Sequence, residues 1–216
     1  LHLHVHYLDV LSDILICLES NSLRPDLFIS VTNDESADYV LKTLASYSGN
    51  PPVVEVFPNR GRDIGPFFTG FRDRIEKEYD FVGHVHTKKS LAVSDLNMGS
   101  TWSRFLLANL LGGKSGAMMD RIIGFMNNRA EIGMVFPDDP YIVGWGKNIP
   151  FARELCEKMH IAQIPKHFFF PVGTMFWARV DALQRFWDLR LEWDHYPKEP
   201  LPYDGTILHA LERLLP

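Results

Sequence analysis

Apolar and polar residues alternate with period two over "LHLHVHY" (1–7), which predicts a strand. "LSDILICLES" (11–20) switches to helical spacing, with Leu11, Ile14, Leu15 and Leu18 on one face. "PDLFISV" (25–31) predicts a short buried strand. "TNDES" ends it, with Asn33 and Asp34 as helix-start signals for a helix over "SADYVLKTLASY" (36–47). "PVVEVF" (52–57) is a third strand, closed by "PNRGRDIG". "PFFTGFRDRIEKEY" (66–79) is a helix with Phe67, Phe68, Phe71 and Ile75 inward, and "DFVGHVH" (80–86) is a fourth strand. The order βαβαβαβ predicts an α/β fold with a mostly parallel sheet and helices on both faces.

The second half is less regular. Helices are predicted at "STWSRFLLANLLGG" (100–113), "GAMMDRIIGFMNN" (116–128), "IPFARELCEKMHI" (149–161) and "DGTILHALERLLP" (204–216). "EIGMVF" (131–136) is a strand, and "HFFFPVGTMFWARV" (167–180) reads as a strand pair or a broken strand with a Gly turn. No repeat or flexible linker interrupts the chain, so residues 1–216 read as one domain. The first residue is not Met, which suggests a domain taken from a longer chain.

Composition adds limits. The 216 residues are 46% hydrophobic and 23% charged, as in a folded globular chain. A net charge of −5 argues against a general nucleic-acid binder. No apolar run is long enough for a membrane span. Cys17 and Cys156 sit in no ligand motif and fit buried free thiols in a reducing compartment, ahead of a disulfide.

Ligands of open α/β sheets bind beyond the carboxyl ends of the strands. Four stretches fall there or at helix starts: "VTNDES", "PNRGRDIG", "HVHTKKS" and "PYDGT". In "NRGRDIG", Gly61 and Gly65 permit a tight turn, Arg60 and Arg62 suit a phosphate, and Asp63 precedes a helix it could cap. A solvated turn is the plain alternative. In "HVHTKKS", His84 and His86 lie on one side of a strand. Metal ligation by them lacks the remaining ligands, and Lys88 and Lys89 offer positive charge to a phosphate. His2, His4 and His6 form a second same-face series, which an edge strand would tolerate without a metal. Asp204 sits where an N-cap belongs and could also serve as a general base. His209, Glu212 and Arg213 share one helix face, as surface charges or as a ligand-bonding cluster. Trp102 and Trp177 are core residues or faces on which a sugar stacks.

The segments "NRGRDIGPF" (59–67), "HVHTKKS" (84–90), Trp102, "IGMVFP" (132–137), "GTMFWAR" (173–179) and "DGTILHALER" (204–213) together resemble the rhamnan synthesis protein F family. The resemblance implies a glycosyltransferase, specifically a rhamnosyltransferase, with a GT-A-like Rossmann-type sheet and an irregular C-terminal half. It implies a nucleotide-sugar donor such as dTDP-L-rhamnose and a growing polysaccharide or lipid-linked glycan as acceptor. Ordinary GT-A enzymes carry Asp-x-Asp after the fourth strand to hold a divalent metal. Here that slot reads His84-Val85-His86, so an anion site replacing the metal site is expected, without cofactor.

On this reading Tyr7 and Asn33 contact the nucleoside, and Asn59, Arg60, Arg62 and Asp63 hold donor sugar or phosphate. His86, Lys88 and Lys89 stabilise the leaving diphosphate. Asp204 is the base, with Asp63 in reserve. Trp102, Trp177, His209, Glu212 and Arg213 serve the acceptor side. The resemblance places the domain in the cytoplasm, reaching the inner face of the plasma membrane and other assembly proteins through its parent chain. A non-catalytic glycan-binding or assembly module is the alternative.

Overall fold

The computed structural model describes residues 1–87, 96–114, 116–138 and 144–215, and of 96–100 the backbone alone. Lys88 and Lys89 lie outside the described residues. Among the described residues six strands form one sheet: β1 (His2–His4), β2 (Phe28–Val31), β3 (Val53–Val56), β4 (Phe81–His86), β5 (Met134–Val135) and β6 (Phe176–Arg179), in the order β3-β2-β1-β4-β6-β5. The first four run parallel; β6 runs antiparallel to both β4 and β5. The mostly parallel sheet expected from the βαβαβαβ order is therefore present.

The helices are α1 (Leu11–Glu19), α2 (Asp34–Thr43), α3 (Arg72–Glu78), α4 (Leu96–Leu110), α5 (Met118–Asn127), α6 (Ile149–Lys158), α7 (Gln184–Asp188) and α8 (Ile207–Leu214). One core lies between the sheet and α1, α4 and α5, and takes Leu3, Ile29, Val31 and Val85 from the strands. The other core takes Phe28, Val82 and Phe176 from the strands and packs them on α3, α6, α7, α8 and the phenylalanines of 66–71. A parallel sheet buried on both faces hides the backbone polar groups and excludes water from both sides.

Three expectations are corrected. β1 is a central strand, flanked by β2 and β4. Its alternation therefore does not mark an exposed face, and His2 and His4 are buried. The helix expected over 66–79 is split into a π-helical turn, Pro66–Gly70, followed by α3. Of the stretch 167–180 only Phe176–Arg179 is strand. Cys156 is buried as expected, Cys17 is half-buried, and neither is in a disulfide. Among the described residues no helix is long and apolar enough to cross a membrane.

Candidate functional site

The chain runs β1, β2, β3 outward on one side of the sheet, then returns to place β4 on the other side of β1. The strand order reverses between β1 and β4, and at such a switch point an open α/β sheet takes its ligand beyond the carboxyl ends. The Thr87 hydroxyl bridges the two strands by accepting from the backbone nitrogens of His6 (2.9 Å) and Tyr7 (2.8 Å). Tyr7 is half-buried at this edge. The turn after β3 leaves the same carboxyl edge, because β3 runs parallel to β2 and so to β1 and β4; past Thr87 the "HVHTKKS" stretch lies outside the described residues.

Below the edge lies a cluster that period-two reading did not anticipate. His2 pairs in register with His84, and His4 with His86 and Ser30. Their side chains share one face of three adjacent strands. His2 Nδ1 lies 2.9 Å from His84 Nδ1, and His2 Nε2 lies 3.0 Å from Ser30 Oγ. His4 Nδ1 lies 2.9 Å from the same hydroxyl. His84 Nε2 lies 3.3 Å from Asp63 Oδ2. Phe67 roofs the cluster, with ring centroids 4.6 Å from His84 and 5.5 Å from His2. A signal for it existed: two H-x-H strands adjacent and parallel in register must face their histidines to one another.

Burial governs the protonation of this cluster. It lowers His4 to about 4, and the nearby His86, His84 and His6 imidazoles add to the effect against the opposing Asp63 charge. Burial likewise drives His2 well below the ordinary histidine range. It pushes the Asp63 carboxyl up, but the His84 hydrogen bond and the His86 and His84 imidazoles outweigh it and hold Asp63 well below the usual range.

His86 Nε2 donates to Gly173 O at 2.6 Å, and Gly173 N donates to Glu212 Oε1 at 2.7 Å. The backbone of Gly173 thus ties β4 to α8. Gly173 has φ +79, and a Cβ there would fall 2.6 Å from the Trp102 ring. Both the backbone and the space exclude a side chain. Gly173→Ala should lower stability by about 1–3 kcal/mol and loosen the packing of Trp102. Calorimetry and tryptophan emission would check it; an unchanged melting temperature would refute the close approach.

Several assigned residues are committed elsewhere. Arg60 donates from Nε to Tyr196 O (2.5 Å) and from one terminal nitrogen to Asp194 O (2.9 Å), so it clamps the 193–196 turn instead of facing a phosphate. Arg62 pairs with Glu199 at 3.3 Å. Asn59 is exposed on the same turn. Asn33 caps α2, accepting from Ser36 N at 2.8 Å. Trp177 is only 3% exposed and donates its indole N–H to Leu110 O, which leaves no face for a sugar. His84 is buried with both ring nitrogens engaged, so it reaches neither a metal nor a diphosphate.

Asp204 does not cap α8; Thr206 is the N-cap residue, and its hydroxyl meets His209 Nδ1 at 2.8 Å. Asp204 accepts from Asn148 Nδ2 (2.6 Å) and pairs with buried Arg213 (3.5 Å). Arg213 also donates to Gly144 O. Burial pushes the Asp204 carboxyl up, but Asn148, the Lys147 backbone, Arg213 and the Gly205 backbone together hold it below its ordinary value. These contacts describe a structural carboxylate joining α6 to α8. Asp204→Ala should cost about 1.5–3 kcal/mol, because Arg213 loses its counter-charge. A urea-melt midpoint equal to that of the unmodified protein would overturn this.

The fold defines an α/β domain built on a mostly parallel sheet whose strand order reverses between β1 and β4. The chain belongs to the rhamnan synthesis protein F family, which matches it over residues 1–216. Uncharacterized proteins WxcX from two strains of Xanthomonas campestris pv. campestris are each 30% identical over 216 residues, covering 99% of this chain and 30% of their own length. The chain thus spans under a third of these curated relatives. No solved structure matches it. The family takes its name from rhamnan synthesis.

Proposed function

We propose that this chain is a glycosyltransferase domain of GT-A-like build, and specifically a rhamnosyltransferase that takes a sugar from a nucleotide donor such as dTDP-L-rhamnose to a growing cell-surface glycan. The observation that carries this reading is the carboxyl edge of β1 and β4, where Thr87 holds Tyr7, with His86 and the His84–Asp63 pair on the strand behind it. The strand order, with an antiparallel β6 beside β4, supports the fold assignment.

In this reading Tyr7 lines the nucleoside pocket. Lys88 and Lys89, next in sequence after Thr87, neutralise the leaving diphosphate as fixed cations. His86 orients the Gly173 loop and, through it, Trp102 and Glu212 on the acceptor side. Asp63, through His84, supports the base; Asp204 serves the scaffold. The slot that holds Asp-x-Asp in GT-A enzymes contains no carboxylate here, so the lysines stand in for a divalent cation. The domain works at the cytoplasmic side of the membrane, within a longer chain and beside other assembly proteins.

The test is a panel of nucleotide sugars, read as nucleoside diphosphate release. Release from a dTDP-sugar, unchanged by EDTA, is the expected result. Loss on chelation, restored by Mn²⁺ or Mg²⁺, would overturn the metal-independent part. Failure with every donor would transfer the reading to a non-catalytic glycan-binding module.

A further inference from the structure

We propose that His4, Ser30, His2 and His84 form a proton relay that carries the proton of the acceptor hydroxyl from the carboxyl edge of β1 to a resting place beside the buried Asp63 carboxylate. This rests on the transferase reading and supplies the base that reading needs.

With Asp63 ionised and the imidazoles neutral, each hydrogen bond of the chain has one direction. An ionised Asp63 only accepts, so His84 Nε2 carries a hydrogen. With His84 neutral, its Nδ1 is an acceptor, and His2 Nδ1–H must donate to it. His2 Nε2 is then an acceptor, and the Ser30 hydroxyl donates to it. Ser30 Oγ in turn accepts from His4 Nδ1–H. Each neutral partner has one remaining role, so the chain has a single sense, from His4 to Asp63. His4 Nε2 is left with its lone pair, engaged by no described group. His4 is the last residue of β1 and keeps 7% of its surface exposed.

One added proton reverses the whole chain. An acceptor hydroxyl gives its proton to His4 Nε2 as its oxygen electron pair forms the bond to the anomeric carbon, and the diphosphate leaves with the electrons of the bond it breaks. His4 passes its Nδ1 proton to Ser30 Oγ. Ser30 passes its own proton to His2 Nε2, and His2 passes its Nδ1 proton to His84 Nδ1. The charge then rests on His84, against Asp63. His2 and His4 are neutral before and after, with tautomers exchanged, which agrees with the burial that disfavours their cations. The groups facing the chain are His6 and His86 beside His4, the amino group of Leu1 beside His2, and Asp63. Phe67 and Phe71 close it from water. His4 is the catalytic base in this scheme; Ser30, His2, His84 and Asp63 are positioning residues that act through it.

Nitrogen-15 spectra of the unmodified protein should show His2 and His4 changing from Nδ1–H to Nε2–H together, in one transition. Separate titrations, or fixed tautomers, would overturn the relay. Ser30→Ala breaks the chain without removing an imidazole. It should lower kcat about 10²-fold or more, leave donor KM unchanged, and move the rising limb of the pH profile. Ser30→Thr keeps the hydroxyl and should restore both. If Ser30→Ala transfers normally with an unmoved profile, the relay is wrong and the transferase reading stands. If tautomer exchange is coupled but no nucleotide sugar is ever turned over, the transferase reading fails instead.

Discussion

Asp63→Asn should leave the protein folded and reduce turnover by about 10³–10⁴-fold. The amide matches the carboxylate in shape, so the packing under Phe67 survives. It cannot carry the negative charge that an imidazolium at His84 requires. A buried cation without a counter-charge is strongly disfavoured, so the charge-separated state that follows proton uptake is lost. The same change in a Ser–His–Asp triad costs about 10⁴-fold in kcat, for the related reason that the histidine loses its orienting anion. Nucleoside diphosphate release from the active donor would measure the loss, and circular dichroism would confirm folding. Turnover within about tenfold of normal, in a folded variant, would remove Asp63 from the machinery.

Acid should destabilise the protein well before carboxylates titrate. An unfolded histidine protonates near 6.5, whereas buried His4 does so only at about 4. Below 6.5 the unfolded chain therefore binds more protons than the folded one, and stability falls with pH. The contribution of His4 is complete above that value and is lost on the way to about 4, an effect of order 3 kcal/mol. His2 is shifted in the same direction and adds to it. Asp63 acts later, because its lowered carboxyl stabilises the fold above 3.8 and ceases to do so only at lower pH. Urea midpoints measured from neutral pH down to about 4 should decline steadily, and His4→Asn should flatten the decline. A flat profile in the unmodified protein would mean that His4 is not held neutral.

How far the site could be read beforehand varies residue by residue. Asn33 caps α2 as its place before Asp34 predicted, because a cap needs only local geometry. Asp204 had the same local look, but the cap position falls two residues later, at Thr206, and Asn148 and Arg213 bind the carboxylate from distant segments. Arg60 looked like a phosphate ligand until carbonyls more than a hundred residues away proved to occupy it. Trp177 was offered as core or as a sugar platform, and the placement of α4 against the sheet decides for core.

By itself the sequence determined the four parallel strands, the helices between them and the motifs that follow the strands, because periodicity, caps and turn residues act over a few positions. Only the tertiary structure decided that β1 is central. That placement turns the polar side of "LHLHVH" from a solvent face into a buried network, since a strand's neighbours, which its own residues do not encode, determine whether water reaches its second face.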